Sequence, residues 1–241
     1  VSSNAAAAQV PANNHLDRDG KICLIKGALG FVIQGLIIFL CAGRIDWLRG
    51  WIYLGLAFLA QYTILVYLVR KNPQLINLRG RIQAGTKGYD RLLLALFIPL
   101  SYAVLAVGGL DGGRFGGPGP GPGALLAGGL MFILGAVLVN WAITVNPHFE
   151  ATIRIQEDRD HQVCTRGPYR LVRHPGYLGW LLILFSAPLI LASWWGLVPA
   201  GLAGGLLVVR TALEDRTLRL ELAGYLDYSL TTKTRLIPWL W

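Results

Sequence analysis

Six stretches of about twenty apolar residues constrain this chain more than any other feature. They run over Ile22–Gly43, Leu48–Val69, Leu92–Leu110, Ala124–Val145, Tyr177–Trp194 and Gly196–Leu213. Each approaches the ~20 residues that one helix needs to cross a bilayer. Hydrocarbon tolerates no unpaired backbone groups, so such runs fold as helices. The spacing predicts an all-α, multi-pass transmembrane helical bundle of six spans. The last two runs are parted only by Trp194-Trp195-Gly196. They form either a tight helical hairpin or one long kinked segment, which would lower the count to five. An indole pair suits an interfacial turn. Charged residues make up 15% of the chain, against about 25% in soluble domains.

The net charge of +9 does not read as a nucleic-acid surface, because the basic residues sit in connections between apolar runs and form no continuous stripe. With the N-terminus in the cytoplasm, that face receives Arg18, Lys21, Lys26, Arg70, Lys71, Arg79, Arg81, Lys87 and Arg91. It also receives the Arg154–Arg173 loop and the basic tail, leaving Arg44, Arg49 and Arg114 opposite. The positive-inside bias then puts both termini and the polar C-terminal loops on the cytoplasmic face. Cys23, Cys41 and Cys164 are too scattered for a disulfide framework or a metal knuckle.

Three regions follow: a tail over 1–21, membrane helices over 22–139 and a region richer in polar motifs over 140–241. Val1–Asn14 has no apolar periodicity and is expected to lack order; it does not read as a signal peptide. Asn72-Pro73 ends the second run, and Asn77–Asp90 is a basic, glycine-broken loop suited to lipid headgroups. Gly112–Gly123 lacks the lysine of a phosphate-binding loop and follows no strand, so it reads as a flexible, non-helical linker on the opposite face.

Polar residues concentrate in Thr165–Gly179, which holds Arg166, Arg170, Arg173, His174, Tyr169 and Tyr177 and is broken by Pro168 and Pro175. Irregular backbone beside a membrane helix must line a polar cavity or pack within protein. Upstream, His148 and Glu150 lack convincing metal spacing and suit interfacial capping or substrate contact. Thr152–Gln156 alternates like a short extended piece, Glu157–Asp160 reads as a turn, and the whole stretch could equally be a solvated loop. Arg210 and Glu214 share one helix face at i and i+4, either as a simple salt bridge or as part of a pocket.

The frame Gly167-x-Tyr169-x-x-x-Arg173-His174-Pro175-x-Tyr177 resembles the signature of the isoprenylcysteine carboxyl methyltransferase family, membrane enzymes related to phospholipid methyltransferases. A second block supports it: Arg210-x-x-x-Glu214-Asp215-x-x-Leu218, Gly224-Tyr225-x-x-Tyr228 and Arg235-Leu-Ile-Pro238. The resemblance covers about Asn140–Trp241. It implies S-adenosyl-L-methionine as methyl donor, in a cytoplasm-facing pocket capped by the C-terminal segment. The implied cofactor contacts are Gln156 (with Arg154 the other candidate), His161, Gln162, Val163, Cys164, Tyr169, His174, Pro175, Gly176, Tyr177 and Glu214. Arg173 and Arg210 are the implied acceptor-side residues. Asp215 stands where the family has a second glutamate, and Leu222-Ala-Gly-Tyr225 departs from the usual Phe-Gly. The implied acceptor is a lipophilic, prenyl-cysteine-like carboxylate, with a phospholipid amine or thiol as variants. Membrane lipids are the expected surroundings, and neither metal nor nucleic acid is expected. A sterol-type reductase using NADPH is the competing enzyme class, since its C-terminal half also carries an arginine–histidine pair before a tyrosine.

Overall fold

The structure is a computed structural model that describes residues 15–237 and 241. The tail reading for Val1–Asn14 and the motif residue Pro238 lie outside the described residues. Eight α-helices and no strand occur among the described residues: α1 (Arg18–Ala42), α2 (Leu48–Lys71), α3 (Pro73–Arg79), α4 (Gly88–Gly108), α5 (Pro122–Val145), α6 (Pro175–Ile190), α7 (Leu197–Glu221) and α8 (Tyr225–Thr231).

Local chemistry sets these limits. Asp17 caps α1, its Oδ1 accepting the Gly20 amide at 2.8 Å, so the helix starts at Arg18, earlier than the apolar run alone suggests. Gly43 ends α1 in the left-handed region at φ 67°. Asn72 closes α2 and caps α3 through the Leu75 amide, as the Asn-Pro pair foretold.

Helices α1, α2, α4 with its continuation, α5 and α7 are long and apolar enough to cross a membrane, while α6 has only 16 residues. The protein is a multi-pass helical membrane protein. The last two runs are separate helices joined by a turn at 191–196, in which Ala192 is left-handed and Trp194 and Trp195 are exposed. The hairpin reading therefore holds over the single kinked segment.

The glycine-rich connection departs from its expected character. Gly109–Phe115 continue α4 as π-helical turns. A Cβ at Gly109 would stand 2.7 Å from the Ile38 carbonyl oxygen, and one at Gly112 would run into the Leu191 carbonyl. Here glycine serves close packing of backbones instead of flexibility, which composition alone does not distinguish.

Glycine also joins α5 to α6. Added Cβ atoms at Gly135 and Gly179 would each lie 2.6 Å from the other residue's carbonyl oxygen. Small residues let membrane helices touch along their backbones, and this contact fixes the start of α6 beside the end of α5. The far end of α6 is held by Arg49, whose Nη1 donates to the Leu189 and Ile190 carbonyls at 3.4 and 3.1 Å. The basic connections gather at the other end: Asn77 reaches Asp17, Arg79 reaches Phe149, and Lys87 pairs with Glu221 at 2.7 Å.

Candidate active site

A cavity of about 260 Å³ opens at that basic end. Its walls are the 146–164 loop, the start of α6, the polar second half of α7 and the face of α8. The twelve residues Gln156, His161, Gln162, Val163, Cys164, Tyr169, Arg173, His174, Gly176, Tyr177, Arg210 and Glu214 all line it. Pro175 does not: it is buried at the first position of α6, where its fixed φ starts the helix.

The 146–164 loop is irregular and divided: Glu157, Asp158, Asp160 and Gln162 are exposed, as a solvated loop would have them, while the piece before them turns inward. Ile153, Arg154 and Gln156 are all buried, and Glu157–Arg159 forms a 3-10 turn closed by left-handed Asp160. Arg154 binds Glu150 at 2.8 Å and Asp158 at 2.6 Å. These bonds commit Arg154 to holding the loop and leave Gln156 deeper in the wall.

The loop fixes two neutral histidines. The Gln162 amide donates to His148 Nε2 at 3.3 Å, so His148 Nδ1 carries the proton and donates to Gln156 Oε1 at 3.1 Å. The Gln156 amide donates to His161 Nδ1 at 3.4 Å, which puts the His161 proton on Nε2. The rings lie 4.6 Å apart. Burial, and then the neighbouring His148, Arg154 and Arg159, depress the His161 pKa to about 4. Burial lowers that of His148 as well. His161 Nε2–H has no partner among the described residues and remains a donor at the cavity wall.

Arg210 and Glu214 do not pair with each other, which removes the simple salt-bridge reading. Arg210 Nε donates to Asp90 Oδ1 at 2.6 Å, and Nη2 donates to the Ala151 carbonyl at 3.0 Å. Its guanidinium stacks on the Tyr177 ring at 5.2 Å. Nη1 makes no hydrogen bond among the described residues. Tyr177 Oη donates to Glu214 Oε2, leaving Glu214 Oε1 without a partner among them. Asp90 is fully buried at the start of α4 and also accepts the Ile153 amide at 2.8 Å.

Arg173 has a different task from the acceptor-side one expected of it. Its Nε donates to Asp215 Oδ1 and its Nη1 to the Thr232 and Lys233 carbonyls, all at 2.7 Å, with Nη2 at 3.2 Å from Asp215 Oδ2. Four of its five N–H donors hold the protein together. Asp215 is fully buried and also takes Arg235 at 3.0 Å, Arg219 at 3.2 Å and Tyr225 Oη at 3.1 Å, with His174 Nε2 3.4 Å away. The 232–237 strap is bound to this hub, since the Arg173 and His174 amides donate to the Thr234 and Arg235 carbonyls at 2.9 and 3.0 Å.

Sequence reasoning missed Asp90 and Asn146 as parts of the wall or its support, and quoted Tyr225 in a motif without giving it a role. Asp90 had one visible signal, a lone acid at the head of an apolar run. Asn146 caps α5 and links Tyr169 Oη to the His148 amide.

Two comparisons bear on this geometry. Residues 124–219 match the family model described as "Phospholipid methyltransferase". The chain is also similar to two rice proteins named "Probable protein-S-isoprenylcysteine O-methyltransferase", from Oryza sativa subsp. indica and subsp. japonica. Each is 37% identical over 65 residues, or 27% of this chain and 34% of the relative. The chain thus spans about a third of the length of the curated relatives it matches. The resemblance carried by the motifs stands: residues 124–219 are similar to that methyltransferase family.

Proposed function

We propose that the cavity binds S-adenosyl-L-methionine and that the protein methylates a lipophilic carboxylate, isoprenylcysteine-like or similar, at the cytoplasmic face. One observation carries this reading: a single cavity combines free polar valences, on a membrane helix and the adjoining loop, with an apolar flank of partly exposed residues. The free valences are His161 Nε2–H, Glu214 Oε1 and Arg210 Nη1. The apolar flank is Phe97, Ile98 and Trp180.

The residue chemistry fits the cofactor. Glu214 accepts hydroxyl or ammonium donors, His161 offers a neutral N–H, and Val163 and Leu218 give an apolar surface for a flat ring. Gly176 keeps that wall open, because a Cβ there would stand 2.6 Å from the Phe149 ring. When bound, S-adenosyl-L-methionine supplies an activated methyl group on a sulfonium. The chain's own contribution is alignment and exclusion of water. Arg210 Nη1 orients a carboxylate while Asp90 and the Tyr177 ring hold the guanidinium still. A carboxylate is already deprotonated, so no general base is required. Arg173 and Asp215 contribute by fastening the strap.

Calorimetry on detergent-purified protein, with S-adenosylhomocysteine and NADPH in parallel, tests the reading. Binding of the homocysteine nucleoside, lost in Glu214→Gln, is the expected outcome. Binding of NADPH alone would replace the methyltransferase reading with that of the reductase.

A further inference from the structure

Four arginines line the cavity, and three are matched by carboxylates: Arg154 by Glu150 and Asp158, Arg173 by Asp215, and Arg210 by Asp90. Arg79 is the exception. Among the described residues its guanidinium makes one hydrogen bond, Nη1 to the Phe149 carbonyl at 3.1 Å, and rests 5.9 Å over the Phe149 ring. It forms no ion pair among the described residues. The nearby Glu150 carboxylate acts on it at a distance but is already held by Arg154 at 2.8 Å and shared with Arg159 at 3.7 Å. A partly buried cation with no directly paired carboxylate is costly, and it favours an anion as its partner.

Arg79 also borders a second space. An apolar groove of about 430 Å³ runs between α1 and α2, past Cys23, Ala28, Phe31 and Phe58, and ends at the same guanidinium. The groove's rim residues Val32, Phe58 and Tyr62 are about half exposed, so in a membrane it opens to lipid. The cavity's other apolar neighbour, about 220 Å³ beside Ser101 and Tyr102, is smaller and contains no charged residue.

We infer that Arg79 is the anion anchor of an amphiphile. Its carboxylate pairs with this guanidinium at the cavity's edge, and its hydrocarbon lies in the α1–α2 groove. This rests on the proposed methyl transfer only for the fate of the bound carboxylate. It names the substrate class as a long-chain anion reached from the bilayer, and it gives the basic α3 end a role beyond topology. Arg79 holds the ligand's charge, and Arg210 meets the carboxylate once it enters the cavity.

The test uses full-length protein in phosphatidylcholine nanodiscs, carrying Cys41→Ala and Cys164→Ala so that Cys23 reports from the groove. Oleate and oleyl alcohol are compared at alkaline pH, where the acid is ionised. Oleate should slow alkylation of Cys23 by N-ethylmaleimide, at concentrations about tenfold below those needed with the alcohol. Arg79→Gln should erase that difference, and Arg79→Lys should keep most of it. Equal potency of acid and alcohol in the parent protein would overturn the inference. So would oleate protection of a cysteine placed at Ser101 with none at Cys23. Binding of S-adenosylhomocysteine is followed alongside in versions of each protein that keep Cys164. If it is retained in Arg79→Gln, the arginine serves the amphiphile; if it is lost only there, Arg79 belongs to the cofactor and the inference fails. Absence of nucleoside binding in every variant, with oleate selectivity intact, would sink the methyltransferase reading and leave the anchor standing.

Discussion

Replacing Asp215 by asparagine should free the carboxyl-terminal strap. The parent carboxylate is fully buried and faces three arginines. Arg173 is only 2% exposed at its side chain, whereas Arg219 and Arg235 are 36% and 30% exposed. Stranding a buried cation costs about 3–5 kcal/mol, while each solvent-screened pair is worth ~0–1 kcal/mol. The loss is therefore dominated by Arg173. Opening the strap lets that guanidinium hydrate, so the free energy of opening should fall by roughly 3 kcal/mol, about two decades in population. Hydrogen exchange reads this directly at the Arg173 and His174 amides, which donate to the Thr234 and Arg235 carbonyls. Exchange at these two amides should accelerate about a hundredfold in Asp215→Asn. In Arg219→Gln it should change by no more than about fivefold. Equal exchange in Asp215→Asn and the parent, or equal acceleration in both variants, would refute the hub.

His161 predicts a pH dependence of stability. Its folded pKa of about 4 lies below the ordinary 6.5, so the unfolded chain binds more protons between these values. That contribution is fully present above pH 6.5 and is lost as the pH falls toward 4; thermal unfolding of His161→Asn should show a shallower acid slope than the parent. Gly179→Val should part α5 from α6, because even a Cβ would stand 2.6 Å from the Gly135 carbonyl oxygen. A loss of roughly 1–3 kcal/mol is expected, read as a lower detergent unfolding temperature together with weakened nucleoside binding. Asp90→Asn should leave Arg210 without its counter-charge and cost about 3–5 kcal/mol, and the double variant with Arg210→Gln should recover most of the stability.

The apolar helices and the gathering of basic loops at one end were legible because both follow from composition at the scale of a bilayer, although only five of the six apolar runs became helices long enough to cross. The Arg173–Tyr177 motif and the Arg210/Glu214 face were legible through residue type and spacing, and they do meet at one cavity. Side-chain partnerships were not legible. Arg210 turns to Asp90, 120 positions away, and Arg173 turns to Asp215; neither pairing leaves a periodicity to read. Gly112 and Gly113 were misread for a related reason. Composition reports what a backbone can do when free, whereas Gly112 is set by the Leu191 carbonyl that presses against it.

The brevity of α6 has a consequence for depth. Sixteen residues rise about 24 Å at 1.5 Å each, some 6 Å less than a typical hydrocarbon core. Its far end is pinned by Arg49 at the start of α2, and its near end at Pro175 borders the cavity, so the helix that carries Tyr177 is shorter than α1 and α5. A bilayer can meet that shortfall by thinning locally. Membrane thickness then sets how far a lipid anion must climb to reach the site, and the same protein works against a different height in a thin membrane and a thick one.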